Sequence, residues 1–221
     1  MQRYRFVALV LMAVAATAAV VVSRLAPPSF HGTDLGPSSE PRDFTLQEAD
    51  RGDVRLSDFR GRAVLLFFGY TSCPDICPIT MSKLQRAMEW VGDRRRDARV
   101  ILVTVDPTVD TPFRLRDYVQ RFDPEFVGLG GERSELAEVA RSFGAWAGEP
   151  ERAPASPSGA HAGHATGPDV AADGSTGAAA RLIPHTSHVF GLDRDGRLRI
   201  LWGPELTAEQ IAEDLRGLLR L

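Results

Sequence analysis

Two apolar runs, Ala63–Phe68 and Val100–Val105, the second broken only by Thr104, constrain this chain more than any other feature. Runs of that length and apolar content read as buried strands, and between them Met81, Leu84, Met88 and Val91 recur at helical spacing. The alternation continues downstream. Asp110 or Thr111 is placed to cap a helix with Pro112 in its first turn, and Phe113, Leu115, Tyr118, Val119 and Phe122 continue it. Phe126–Leu129 reads as a short strand, and Leu136, Val139, Ala140 and Phe143 mark a third helix. His188–Asp193 and Arg197–Trp202 form a hairpin around Arg194-Asp195-Gly196, and a last helix runs from about Thr207 to Leu219. Upstream, Phe44-Thr45-Leu46 and Val54-Arg55-Leu56 flank Asp50-Arg51-Gly52-Asp53, a second hairpin signal. Strands alternating with helices and closing on a hairpin plus a helix argue an α/β sandwich.

This folded unit is expected over residues 43–221, interrupted at about 148–180 by a stretch of Ala, Gly, Ser and Pro containing His161 and His164. Such a stretch has too little apolar surface to offset its ordering entropy, so it reads as a mobile insertion. Residues 25–42 turn to Pro, Ser and Gly and read as a flexible tether. Before them, Arg3 and Arg5 precede Phe6–Ser23, which carries no charge and is about long enough to cross a bilayer. Residues 1–24 are therefore a membrane anchor or signal, with the positive charge holding the N-terminus in the cytoplasm and everything after Arg24 outside. Ala16-Thr17-Ala18 has the form of a cleavage site, but the apolar run continues through Ala19–Val22, which favours an uncleaved single-pass anchor. The expected location is the periplasmic side of a bacterial cytoplasmic membrane. A formal charge of −3, with acids and bases interspersed, leaves no electrostatic footprint for nucleic acid.

The only two cysteines, Cys73 and Cys77, follow the first apolar run directly, in Tyr70-Thr71-Ser72-Cys73-Pro74-Asp75-Ile76-Cys77-Pro78. At a strand-to-helix junction, unpaired N–H groups and the helix dipole are expected to lower thiol pKa values and favour metal binding or disulfide exchange. If both residues are helical, they lie on one face about one turn apart. Pro74 suits a first turn, whereas Pro78 either kinks the helix or marks its true start. Spacing alone does not choose between a metal site, a redox pair and a structural bridge. A structural zinc site needs four ligands, and no second cysteine pair exists, so the sulfur supply points to three-coordinate Cu(I) with a histidine completing the set.

Three blocks together resemble the signature of the Sco/SenC family: Gly69–Pro78, then Val105-Asp106-Pro107-Thr108-Val109-Asp110-Thr111-Pro112, then His185–Gly196. The resemblance covers roughly residues 43–147 and 181–221. It implies a thioredoxin-like sandwich, a central mixed sheet flanked by helices, on a single N-terminal transmembrane helix. It also implies a copper chaperone that helps assemble the copper centre of cytochrome c oxidase subunit II, with Cys73, Cys77 and one downstream histidine as ligands. The family histidine lies about eleven residues before the hairpin glycine, which selects His185 over His188. His188 reads as a strand residue. Pro184, before His185, departs from the family's aspartate or small residue.

Asp106 and Asp110 match the aspartates of the second block, with turn formation and capping as their simplest roles. Asp75 favours the helix dipole and is not expected as a ligand. His161 and His164 carry a lower-weight expectation of transient copper binding. Implied partners are the oxidase subunit, an extracytoplasmic thiol reductant, the membrane and a further copper chaperone. The rival activity is a thiol-disulfide oxidoreductase using Cys73 and Cys77 as its redox pair, distinguished by having no need of an imidazole. A peroxidase fits poorly, because Thr71 stands two residues before Cys73 rather than three. A redox or copper sensor has no signalling segment to support it.

Overall fold

The apolar run at Ala63 becomes the centre of the molecule. The computed structural model describes residues 11–15, 17–18, 29–36, 41–145 and 186–221. Strand β4 (Ala63–Gly69) pairs in parallel with β5 (Ala98–Thr104), which pairs in parallel with β6 (Val127–Leu129). On its other side β4 pairs antiparallel with β7 (Val189–Leu192), followed by β8 (Leu198–Trp202) and the short edge strand β1 (Thr33–Asp34). The six-stranded order is β1-β8-β7-β4-β5-β6, and β2 (Thr45–Glu48) with β3 (Gly52–Arg55) forms a separate hairpin. Four α-helices pack against the sheet: α1 (Ile76–Val91), α2 (Pro112–Val119), α3 (Arg133–Ser142) and α4 (Ala208–Leu218). The mixed sheet between helical layers bears out the expected sandwich.

β4 has no polar residue because both its faces are covered. Ala63, Leu65 and Phe67 enter a core with α1, α2 and α4, whereas Val64, Leu66 and Phe68 enter a second core with α3 and the β2–β3 hairpin. Each buried large side chain contributes about 1.5–3 kcal/mol of hydrophobic stabilisation, so this strand ties the two cores together. The helices begin where local chemistry allows. The Thr111 hydroxyl accepts from the Arg114 N–H at 3.2 Å and Pro112 opens α2, while Thr207 and Gln210 cap α4 reciprocally at 3.3 and 2.9 Å.

Several expectations change. α2 ends at Val119, so Phe122 lies beyond it and packs against Tyr118 edge-on. Thr111 rather than Asp110 provides the cap, and His188 precedes β7 rather than lying within it. Residues 29–36 fall inside the stretch read as a tether, yet they belong to the domain. Phe30 packs on the core, Thr33 and Asp34 pair with Leu201 and Ile200, and the Asp214 carboxylate accepts from the His31 and Gly32 N–H groups at 2.7 and 2.9 Å. A Cβ on Gly32 would approach the Leu201 carbonyl and the Trp202 ring to 2.8 Å, so only glycine allows the chain to lie this close. Composition missed this docking because it depends on backbone donors, which every residue here has.

Among the described residues no helix is long and apolar enough to cross a membrane. Most of Phe6–Ser23, the insertion at 148–180 with His161 and His164, and His185 lie outside the described residues.

Candidate metal centre

β4 ends at Gly69, and the chain turns through Tyr70, which is buried, with the Cys73 N–H donating to the Tyr70 carbonyl at 3.3 Å. α1 begins at Ile76, so Cys73 lies in the turn before it, Cys77 is its second residue and Pro78 its third. The expectation of two cysteines on one helical face is corrected accordingly. Pro78 sits in the first turn and does not kink the helix, because the first N–H groups have no intrahelical acceptor and a missing donor there costs nothing. Asp75 occupies the N-cap position without a side-chain capping bond.

Both thiols are buried and no disulfide joins them. The Cys77 sulfur rests against the end of β4: a Cβ built on Gly69 would lie 3.0 Å from it and 2.8 Å from the Phe67 ring. Glycine at the end of this strand is therefore what leaves room for the sulfur. The Cys77 thiol is held far above the ordinary thiol range, first by its hydrogen bond with the Cys73 side chain and then by burial. A backbone hydrogen bond to Tyr70 acts in the opposite direction, while the Cys73 and Asp110 charges add to the rise. The expected lowering by the helix N-terminus is thus overturned for Cys77. A thiol sealed from water and bonded to another thiol keeps its proton, because ionisation would place charge in an apolar site without water to stabilise it.

Asp110 does more than the capping expected of it. Its buried carboxylate accepts from the Thr71 N–H at 3.0 Å, the Thr71 hydroxyl at 2.5 Å and the Thr104 hydroxyl at 2.7 Å. Arg114 donates to the Thr71 oxygen at 2.7 Å and lies 3.8 Å from the carboxylate. This clamp ties the end of β5 and the start of α2 to the turn that carries Cys73. Asp106 is also buried. One of its carboxylate oxygens accepts from the Thr108 hydroxyl at 2.5 Å, and the other has no partner among the described residues. Neither Thr71 nor Arg114 stood out as part of the clamp in the sequence, because their roles depend on three segments meeting.

The described part of the third block begins at Thr186. Val189 pairs with Phe67 in the antiparallel β4–β7 ladder, so the chain preceding β7 enters at the end of β4 from which the cysteine turn leaves. His188 is half-buried immediately before that strand. Among the described residues no group of three His, Cys, Asp or Glu side chains is placed to hold a metal ion. The two sulfurs alone form a soft donor pair, suited to a thiophilic ion and too few for a tetrahedral zinc site.

The sequence model of the SCO1/SenC family matches residues 33–167. The chain belongs to the SCO1/SenC family. Relatives within this family include a SCO2-like protein of Rickettsia conorii, 36% identical over 102 residues, covering 46% of this chain and 49% of the relative. The chain spans about half the length of the first curated relatives it matches. Among SCO1/SenC structures, apo Sco1 of Thermus thermophilus is 36% identical with a TM-score of 0.64, covering 86% of this chain and 98% of its own. ScoI of Bradyrhizobium japonicum, solved with copper bound, is 28% identical with a TM-score of 0.63, covering 82% and 100%. These likenesses carry the thioredoxin-like fold expected of a SCO1/SenC protein.

Proposed function

We propose that this chain is a copper-binding protein of cytochrome c oxidase assembly, in which Cys73, Cys77 and His185 hold one copper ion as cargo for the oxidase copper centre. The observation that carries this reading is the pair of buried, mutually hydrogen-bonded thiols at the end of β4. Strand β7, which begins four residues after His185 in the sequence, starts beside the same end of β4, and this supports a third ligand from that stretch of sequence. The copper seen in Bradyrhizobium japonicum ScoI supports the choice of metal.

The chemistry follows from the donors. Metal binding displaces the thiol protons, so affinity rises with pH and a disulfide between Cys73 and Cys77 blocks the site. An external thiol reductant is therefore required in an oxidising compartment. The apolar wall around Cys77 excludes water, and His185, a neutral ligand distant in sequence from the two thiolates, exchanges first when the acceptor's ligands approach. Phe6–Ser23 would hold the domain on the outer face of the membrane, with Arg3 and Arg5 setting the orientation.

The rival, a dithiol reductase, is less well served by this geometry. A reductase needs an accessible thiol nucleophile, whereas both thiols are buried, Cys77 wholly and Cys73 at 8% exposure. Titration of the reduced chain with Cu(I) and Cu(II) tests the proposal. One ion per chain is expected, with tight binding lost in Cys73→Ser, Cys77→Ser and His185→Ala. Wild-type affinity in His185→Ala would leave the thiols as a redox pair and overturn the three-ligand site.

A further inference from the structure

Where the chain enters the domain decides how an anchor holds it. The ladder pairs give one continuous row across the sheet: Thr33 beside Leu201, Leu201 beside Phe190, Phe190 beside Leu66 and Leu66 beside Ile101. β1, β8, β7 and β4 are successively antiparallel, so β1 runs opposite to β4. The chain before Thr33 therefore comes from the end of the sheet at which β4 stops and the cysteine turn begins. It is fastened there. His31 and Gly32 donate to the Asp214 carboxylate, which also accepts from the Trp202 indole, and Trp202 lies in the row of Val189 and Phe67. Sideways, β1 stands three strands from β4, about 14 Å at the usual strand spacing. Exposed Ile79 and Phe113 stand at the same end of the sheet, in the first turns of α1 and α2, and Arg114, next to Phe113, donates to Thr71 of the cysteine turn at 2.7 Å.

The link to the anchor is short. Only Leu25, Ala26, Pro27 and Pro28 separate Arg24, which closes the apolar segment, from Ser29, so the link spans at most about 18 Å. The far end of the sheet, where the Gly61 N–H donates to the Arg194 carbonyl, lies about 20 Å down the strand direction from the row of Phe67. The link is therefore too short to run back past that end and hold it against a bilayer. We propose that residues 29–34 are an orienting strut that turns the cysteine end of the sheet, with Ile79 and Phe113, towards the bilayer, so that the partner this face meets is a copper acceptor held in the same membrane with its ligands near the bilayer surface. The inference deepens the proposed function and rests on its anchor and its copper cargo. A freely tethered domain sweeps a wide volume and presents its thiols in every direction. The docked strut instead confines the thiols to a thin layer beside the membrane, where an acceptor in the same bilayer is met at a high effective concentration.

The test places the full chain in lipid nanodiscs that carry a gadolinium chelate on a fraction of the headgroups and reads the relaxation of backbone amides by NMR. Enhancement should be several-fold larger at Thr71, Ile79 and Phe113 than at Gly61, Asp195 and Gly196. Inserting about ten glycine and serine residues between Ala26 and Pro27 lengthens the link to roughly 50 Å and should even out the two ends. Gly32→Val should do the same by undocking the strut, since a Cβ there already approaches the Leu201 carbonyl and the Trp202 ring to 2.8 Å. The same insertion between Pro37 and Ser38 lies beyond the strut and should keep the wild-type pattern. Transfer of Cu(I) to a chelator borne on a lipid of the same disc should slow several-fold with the first insertion and not with the second, while transfer to the free chelator stays the same. Equal enhancement at both ends of the wild type, or an unchanged pattern after the Ala26 insertion, overturns the strut, and equal transfer rates in the two insertion variants overturn the membrane-held acceptor. A chain released from the disc overturns the anchor and the strut together. Failure to load copper overturns the cargo alone, and the relaxation data still decide the orientation.

Discussion

Two segments of this molecule, the cysteine turn after β4 and the N-terminal segment along β8, are fastened by the same device, a single buried aspartate. Asp214 accepts from the His31 and Gly32 N–H groups and from the Trp202 indole N–H at 2.9 Å, all rigid donors. Asp110 accepts from one backbone N–H and two threonine hydroxyls, which rotate and also accept, with a guanidinium beside them. The first arrangement holds a chain path. The second holds a turn that carries a thiol and places a negative charge near the sulfurs, where it adds to the rise of the Cys77 pKa. A buried carboxylate fixes backbone equally well in both places, and the neighbouring chemistry decides whether its charge also matters.

The sharpest way to break the comparison is to remove each carboxylate. Asp214→Ala strands three donors, the Trp202 indole N–H fully buried and two others partly so, and should destabilise the chain by about 4 kcal/mol, read by urea unfolding, with copper affinity per folded molecule unchanged. Asp110→Ala should cost about 3 kcal/mol and also weaken copper binding, because the Thr71 turn loses its clamp. Equal copper affinity in the two variants would show that the clamps differ in place only. Gly69→Ala probes the sulfur's seat: the new methyl group meets Cys77 and Phe67, so about 2 kcal/mol of stability should be lost, together with copper affinity. Retention of both would mean that the strand end yields easily.

The smallest effect is on pH dependence. Cys77 has its folded-state pKa raised, so its proton is kept when the unfolded chain has lost its own, and stability must fall with rising pH above the ordinary thiol value of 9.0. Between pH 9 and 10 the metal-free chain should lose about 1 kcal/mol by urea titration, and Cys77→Ala should remove that slope. Tyr118, whose pKa burial raises, adds to the same trend only above its ordinary value of 10.0. A flat profile would mean that Cys77 ionises in the folded chain as readily as in water.

Much of this was legible from residue order. The runs at Ala63 and Val100 became β4 and β5 because strands covered on both faces are built almost wholly of apolar residues. The spacing from Met81 to Val91 became α1, and the cysteine block stood out by residue type alone. Residues 29–36 were misread because their attachment depends on an aspartate about 180 residues away in sequence. Tyr118 was indistinguishable from any inward-facing position of an amphipathic helix, since periodicity reports which face is buried and says nothing of what meets the hydroxyl.

Residue order by itself determined which segments are strands and helices, where the two sulfurs sit between them, and to which family the chain belongs, because these depend on local pattern and short motifs. Tertiary structure alone decided that Cys77 keeps its proton, that Asp110 grips the cysteine turn instead of capping a helix, and that the Tyr118 hydroxyl is buried without a partner among the described residues. Burial, hydrogen bonding and charge coupling act through space, and the groups that set them here come from β4, β5, α1 and α2, which only the packed fold brings together.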